Sequence, residues 1–135
     1  MVFHVNQRNS KENIRYRVLA TILYSVPPGT TFGGGYKNLD RRLARVLRGR
    51  KHPIITSNFS VYPYDDISPE IDELLHPQRD YGVVIGLENI GSDFNFRVTQ
   101  RTHDVAKEIE RLGVLSCKDI KYLNGLGKKL MVDNS

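Results

Sequence analysis

The sequence predicts a single small α+β domain, and three observations carry that expectation. Apolar residues recur at helical spacing from Ile14 to Val26. Val83, Ile85 and Leu87, and again Phe94, Phe96 and Val98, recur at every second position as in half-buried strands. Several segments open on capping residues and close on glycine or proline. With 135 residues the chain is large enough to bury about two-thirds of its unfolded surface without disulfides or metals. Its 39% hydrophobic and 26% charged residues are those of an ordinary globular domain and argue against a disordered chain.

Ser10 is a good N-cap for a helix over residues 10–25, in which Ile14, Val18, Leu19, Ile22, Leu23 and Val26 form a stripe wide enough for a core helix. Pro27-Pro28-Gly29 ends it, because neither proline carries the amide a continuing ladder requires. Residues 29–38 then read as a flexible glycine-rich connector. They are no phosphate loop, since Gly35-Tyr36-Lys37-Asn38 stands where that pattern needs Gly-Lys-Ser/Thr. Asn38 is placed to cap a second helix over residues 39–49, with Leu39, Leu43, Val46 and Leu47 on one side.

Residues 54–56 and 59–62 read as two short strands around Ser57-Asn58. Ser68-Pro69-Glu70 combines a capping serine, a proline at the first helical position and acids in the first turn. It opens a short helix that closes near His76-Pro77, with Ile71, Leu74 and Leu75 inward and Glu70, Asp72 and Glu73 outward. The two alternating stretches make an antiparallel hairpin around the turn ENIGSD, with all six apolar residues pointing to the core. Thr99 or Thr102 caps the next helix, which carries Val105, Ile109 and Leu112 on its core side and ends at Gly113. Ser116, assisted by Asp119, opens the last helix, with Ile120, Leu123, Leu126 and Leu130 inward; Gly125 and Gly127 each weaken it by roughly 1 kcal/mol. The expected total is five helices, one clear β-hairpin and a second short strand pair in a single domain over residues 1–135. Residues 1–9 read as a flexible arm and residues 132–135 as a frayed end.

The longest uncharged apolar stretch, residues 18–26, is far short of the roughly 20 residues a membrane span requires. The N-terminus lacks the basic and apolar regions of a secretory signal, so the expected location is cytoplasmic. Cys117 is the only cysteine; it rules out an internal disulfide and reads as a small packing residue. His4, His52, His76 and His103 are scattered without metal-ligand spacing. Asp65-Asp66 and Glu70 are better explained by turn formation and capping than by a nuclease metal site. No enzyme, metal or cofactor is therefore expected. Phe59, Tyr62, Tyr64, Phe94 and Phe96 are expected to fill the core beneath the strands; exposed, they would suggest base stacking on RNA.

The net charge of +5 is unevenly spread. Lys37, Arg41, Arg42, Arg45, Arg48, Arg50 and Lys51 face the single acid Asp40, a net +6 over residues 37–51 against about −1 for the rest of the chain. On a helical wheel Lys37, Arg41, Arg42, Arg45 and Arg48 fan across the side opposite the leucines. A face kept only for solubility would mix in acids. Arginine's planar fork suits both phosphate and guanine, so these seven residues are the candidate nucleic-acid contacts.

Two stretches carry a resemblance. LDRRLARVLRGRKHPII is similar to a recognition helix running into a first wing strand, and FNFRVTQRTHDVAKEIERLG to a second wing strand with its helical exit. On these, under a third of the chain, the sequence resembles the winged helix-turn-helix domain of small prokaryotic transcriptional regulators. The resemblance implies a winged-helix-like α+β fold, a DNA-binding regulatory function on double-stranded DNA and a homodimer reading two half-sites. Two registers stay open. In one, the acidic SPEIDELL helix precedes the hairpin and occupies the recognition position, where phosphates would repel it. In the other, residues 39–49 recognise and residues 53–62 form the wing, but glycine-rich sequence replaces the expected positioning helix. The alternative function is a protein–protein module, an adaptor or antitoxin-like chain whose basic helix docks on an acidic partner.

Overall fold

The apolar spacing around Val18 builds helix α1 (Ser10–Leu23), which three other helices enclose in a computed structural model that describes residues 10–33, 36–62, 64–81, 87–90 and 95–132. Val18, Leu19, Ala20, Ile22 and Leu23 are all buried, so α1 is covered on every side over its second half, while Ile14 remains on an exposed side. Thr21, also buried there, donates its hydroxyl to the Arg17 carbonyl at 2.7 Å and so needs no water.

The glycine-rich connector holds an unexpected strand. β1 (Thr31–Phe32) is the first of three, followed in the chain by β2 (Glu88–Ile90) and β3 (Asn95–Arg97), and the antiparallel sheet order is β1-β3-β2. Phe32 lies opposite Phe96, and Asn89 opposite the same residue on the other side. The Gly29 amide donates to the Val98 carbonyl at 2.7 Å and the Val98 amide to the Thr30 carbonyl at 2.9 Å, extending the β1 pairing toward α1. Between these strands the chain folds helix α2 (Tyr36–Leu47), the short α3 (Pro53–Thr56) and α4 (Pro69–Tyr81). After β3 come α5 (Gln100–Leu112) and α6 (Cys117–Val132), completing an α+β architecture in which the last two helices pack on α1. Buried Phe32, Leu43, Leu75, Leu87, Phe96 and Leu123 join sheet and helices in one core.

Several expectations are corrected. Residues 54–56 are a helical turn, not a strand: the His52 ring accepts from the Ile54 amide at 3.1 Å and Pro53 takes the first helical position, where its missing amide costs nothing. These caps override the strand preference of Ile-Ile-Thr. Residues 59–62 form no strand either; Tyr62 makes one isolated bridge, to Ile67. The second strand pair therefore disappears, and with it the wing of the second register. The hairpin sits further along than expected, because Glu88, Asn89 and Ile90, assigned to the turn, are strand β2. Leu87, Phe96 and Val98 are buried as expected, while Val83, Ile85 and Phe94 lie outside the described residues. The predicted arm, residues 1–9, also lies outside them, as do residues 133–135 of the predicted frayed end; α6 is continuous to Val132.

At α4, Ser68 and Pro69 start the helix as their chemistry demands, with the Ser68 carbonyl accepting from Asp72 at 3.1 Å. The helix runs through Pro77 to Tyr81 instead of closing before it. A proline removes one ladder bond, but Ile71, Leu74 and Leu75 already anchor this helix in the core. Thr99 and Thr102 form a reciprocal capping box for α5, and Gly113 ends it with φ 69°, the left-handed conformation that glycine adopts without strain. Leu112, expected on the core side, is 55% exposed because it falls in the last residue before that turn. Cys117 is exposed rather than packed, being the first residue of α6, where the Ser116 hydroxyl accepts from the Asp119 amide.

The two glycines of α6 are not equivalent. A Cβ on Gly125 would meet open space, whereas one on Gly127 would lie 2.0 Å from the Ile22 carbonyl oxygen of α1. Gly127 thus lets the two helices touch backbone to backbone. Gly125→Ala should stabilise the fold by up to about 1 kcal/mol through helix propensity. Gly127→Ala should destabilise it by about 1–3 kcal/mol, because the added methyl forces α1 and α6 apart. Urea unfolding of the two variants measures this opposition, and a Gly127→Ala protein as stable as the wild type would contradict the close crossing.

Candidate nucleic-acid interface

Helix α2 buries Leu39, Leu43, Ala44, Val46 and Leu47 and leaves Arg41, Arg45 and Arg48 exposed, as its periodicity requires. The three arginines follow one another at spacings of four and three residues, a stripe about 10 Å long at 1.5 Å per residue. The helix starts two residues before Asn38, which is therefore not its N-cap; the Asn38 side-chain amide instead donates back to the Gly33 carbonyl.

The other predicted contacts divide. Lys51 is exposed beyond the helix end. Arg42 is half-buried, its guanidinium 5.8 Å from the centre of the Phe32 ring, so it is drawn toward the sheet. Arg50 is half-buried and donates from Nε to the Val46 carbonyl at 2.9 Å, closing the end of α2. The Lys37 side chain lies outside the described residues.

A carboxylate already occupies part of the stripe. Asp66 accepts from Arg48 Nη1 at 2.6 Å and from Arg45 Nε at 3.2 Å. Its backbone has φ 49°, a conformation that aspartate tolerates better than most side chains. Asp66 belongs to a turn closed by the Tyr62 amide, which donates to the Ile67 carbonyl at 2.9 Å, and by the Asp65 amide, which donates to the Tyr62 carbonyl at 3.3 Å. On this turn Tyr64 is 95% and Tyr62 54% exposed, contrary to the expectation that both fill the core; Phe59 and Phe96 do fill it.

On the opposite side of α2 sits Asp40, only 8% exposed. Burial pushes its carboxyl up to about 7, reinforced by the charge of Asp72 on α4 and by a hydrogen bond to it. Among the described residues Asp40 Oδ1 has no hydrogen-bond partner. The acids of α4 are consequently not all outward-facing as expected. Asp72 meets Asp40, and Glu70 accepts from the Ser60 amide at 2.6 Å and hydroxyl at 2.9 Å, while Glu73 is exposed. Burial works against the Glu70 charge, but the Ser60 hydrogen bonds outweigh it and hold this carboxyl below its usual range.

Sequence reasoning missed a second group of cations. His52 stacks on Tyr122 of α6 with ring centres 4.3 Å apart, and its Nε2 lies 3.6 Å from Asp119. The segment carrying Lys51 is thereby pinned to the first turns of α6, where Lys118 and Lys121 are exposed. No spacing rule links residues 51 and 118; the ring stack and the Asp119 contact of His52 do. Among the described residues, no three His, Cys, Asp or Glu side chains gather where they could hold a metal ion, and no helix is long and apolar enough to cross a membrane. No family model, curated protein or solved structure matches the chain at a significant level.

Proposed function

We propose that the chain is a nucleic-acid-binding protein, a DNA-binding regulator by preference, that docks through the exposed face of α2. The observation that carries this is the stripe of Arg41, Arg45 and Arg48 on a helix whose opposite side is fully buried, so the cations are presented on a rigid base. Lys51, Lys118 and Lys121 extend the positive surface past the helix end, giving a polyanion several phosphate seats. The order α1, β1, α2, further helices and the β2–β3 hairpin, with β1 on the far side of β3, supports the winged-helix-like reading. Exposed Glu73 on α4, the helix before the hairpin, against the exposed arginines of α2 makes α2 the better phosphate-facing element. A homodimer presenting two such faces is part of the proposal.

Binding by occupancy requires no catalytic group. Replacing Arg41, Arg45 and Arg48 together with glutamine should abolish binding in gel-shift titrations while leaving the melting curve nearly unchanged, since exposed ion pairs of the Arg–Asp66 kind contribute only about 0–1 kcal/mol. Each lost phosphate contact should flatten the salt dependence by about one unit of log slope. The variant Lys107→Gln/Lys128→Gln/Lys129→Gln removes the same charge from α5 and α6 and should still bind. Equal affinity of the arginine triple variant and the wild type would overturn the proposal.

One observation favours the second reading, docking on an acidic protein. Asp66 demonstrates that a carboxylate fits the fork between Arg45 and Arg48. If the arginine triple variant loses a co-purifying acidic protein but no nucleic-acid affinity, the adaptor reading replaces the first.

A further inference from the structure

The turn bearing Tyr62 and Tyr64 is unexplained by the fold. Tyr64 makes almost no packing contribution at 95% exposure, and Tyr62 and Ile67, at 54% and 43%, leave further apolar surface beside it. The turn is nevertheless held in place. The Tyr62–Ile67 bridge closes its base and Asp66 ties it to two arginines of α2. Tyr64 is two residues from Asp66, so their Cα atoms are at most about 7 Å apart and the ring is carried on the same turn that Asp66 ties to α2.

We infer that Tyr62 and Tyr64, set beside Arg45 and Arg48, form a stacking site for unpaired nucleobases, so that the preferred partner is single-stranded nucleic acid rather than duplex. The inference rests on the nucleic-acid reading of α2 and changes its preferred target from duplex to single strand. Single-strand binders combine a cationic track for the backbone with aromatic rings on which bases stack, and every base offers a π-face. In a duplex those faces are already covered by neighbouring bases. The acids of the turn fit the same picture. A phosphate entering between Arg45 and Arg48 takes the place of the Asp66 carboxylate, so the stripe attracts the backbone of any strand and the rings supply the discrimination.

The test uses labelled DNA and RNA single strands of about 16 nucleotides, the upper site size of single-strand folds, and the duplex of the same sequence. The wild type should bind the single strands more tightly. Tyr64→Ala should weaken that binding by about 5- to 150-fold, the range spanned by base–aromatic stacking, without changing the salt slope or the melting temperature. Tyr64→Phe, which keeps the ring, should bind as the wild type does. The seven tyrosines with no tryptophan also make intrinsic emission usable: part of it should be quenched by single strands, and less of it in Tyr64→Ala.

Unchanged single-strand affinity in Tyr64→Ala, with the arginine triple variant still defective, would overturn the stacking site and leave the α2 reading intact. A wild type that prefers the duplex would also overturn it. A wild type that binds none of the three probes would overturn both, and a Tyr64→Ala variant that loses only a protein partner would make the turn a protein-docking site instead.

Discussion

Truncating Phe96 to alanine should remove about 3–5 kcal/mol of stability, a large part of the 5–15 kcal/mol typical of a whole domain. Phe96 is fully buried on the central strand of the sheet, with Phe32 paired directly opposite and equally buried. The loss therefore combines the transfer free energy of a ring with a cavity that two-residue β1 is too short to close. A melting temperature lowered by more than about 10 °C is expected. A shift of a degree or two would mean that the ring lies at the surface.

Asp40 should make the protein less stable as pH rises. Burial and Asp72 push its carboxyl up from the ordinary 3.8 to about 7 in the folded state, so the folded chain holds a proton that the unfolded chain releases. The stability from this residue is therefore complete below about pH 4 and is lost as pH rises through 7. At about 1.4 kcal/mol per pKa unit, the total is on the order of a few kcal/mol by mildly alkaline pH. Asp40→Asn keeps the shape and supplies an amide that donates to Asp72 at every pH, so it should be the more stable protein at pH 8.5 and no more stable at pH 4. Urea midpoints across this range would measure the effect. Parallel profiles for variant and wild type would remove Asp40 as the source.

The elements legible in the sequence were those defined by local rules. The buried and exposed sides of α2 follow from 3.6-residue periodicity, and the starts of α4 and α5 from Ser68-Pro69 and from Thr99 with Thr102. What could not be read depended on distant partners. Thr31–Phe32 is too short to show a period and becomes a strand only because Phe96 lies beside it. Ile54-Ile55-Thr56 favours extended chain, yet the ring of His52, itself held by Tyr122 and Asp119 of α6, caps a helical turn there. At the candidate site the arginine stripe was readable, but its partner Asp66 was not, because the contact depends on a turn closed by Tyr62 and Ile67. The exposure of Tyr62 and Tyr64 has the same origin. Aromatic residues suggest a core by composition, and only the closed turn carries these two outward.

The enclosure of α1 by α4, α5 and α6 bears on how the chain is made. About 100 residues separate the start of α1 from that of α6, so at 5–20 residues per second a ribosome needs roughly 5–20 s to supply the helix that covers it. During that interval Leu19, Ile22 and Leu23 lack their final neighbours, a window in which nascent-chain aggregation competes with folding. The sheet waits as well, because β1 emerges long before β3 and cannot pair until that strand arrives. Folding is consequently expected to wait until α6 has been made, with the close passage of Gly127 over Ile22 among the last contacts formed.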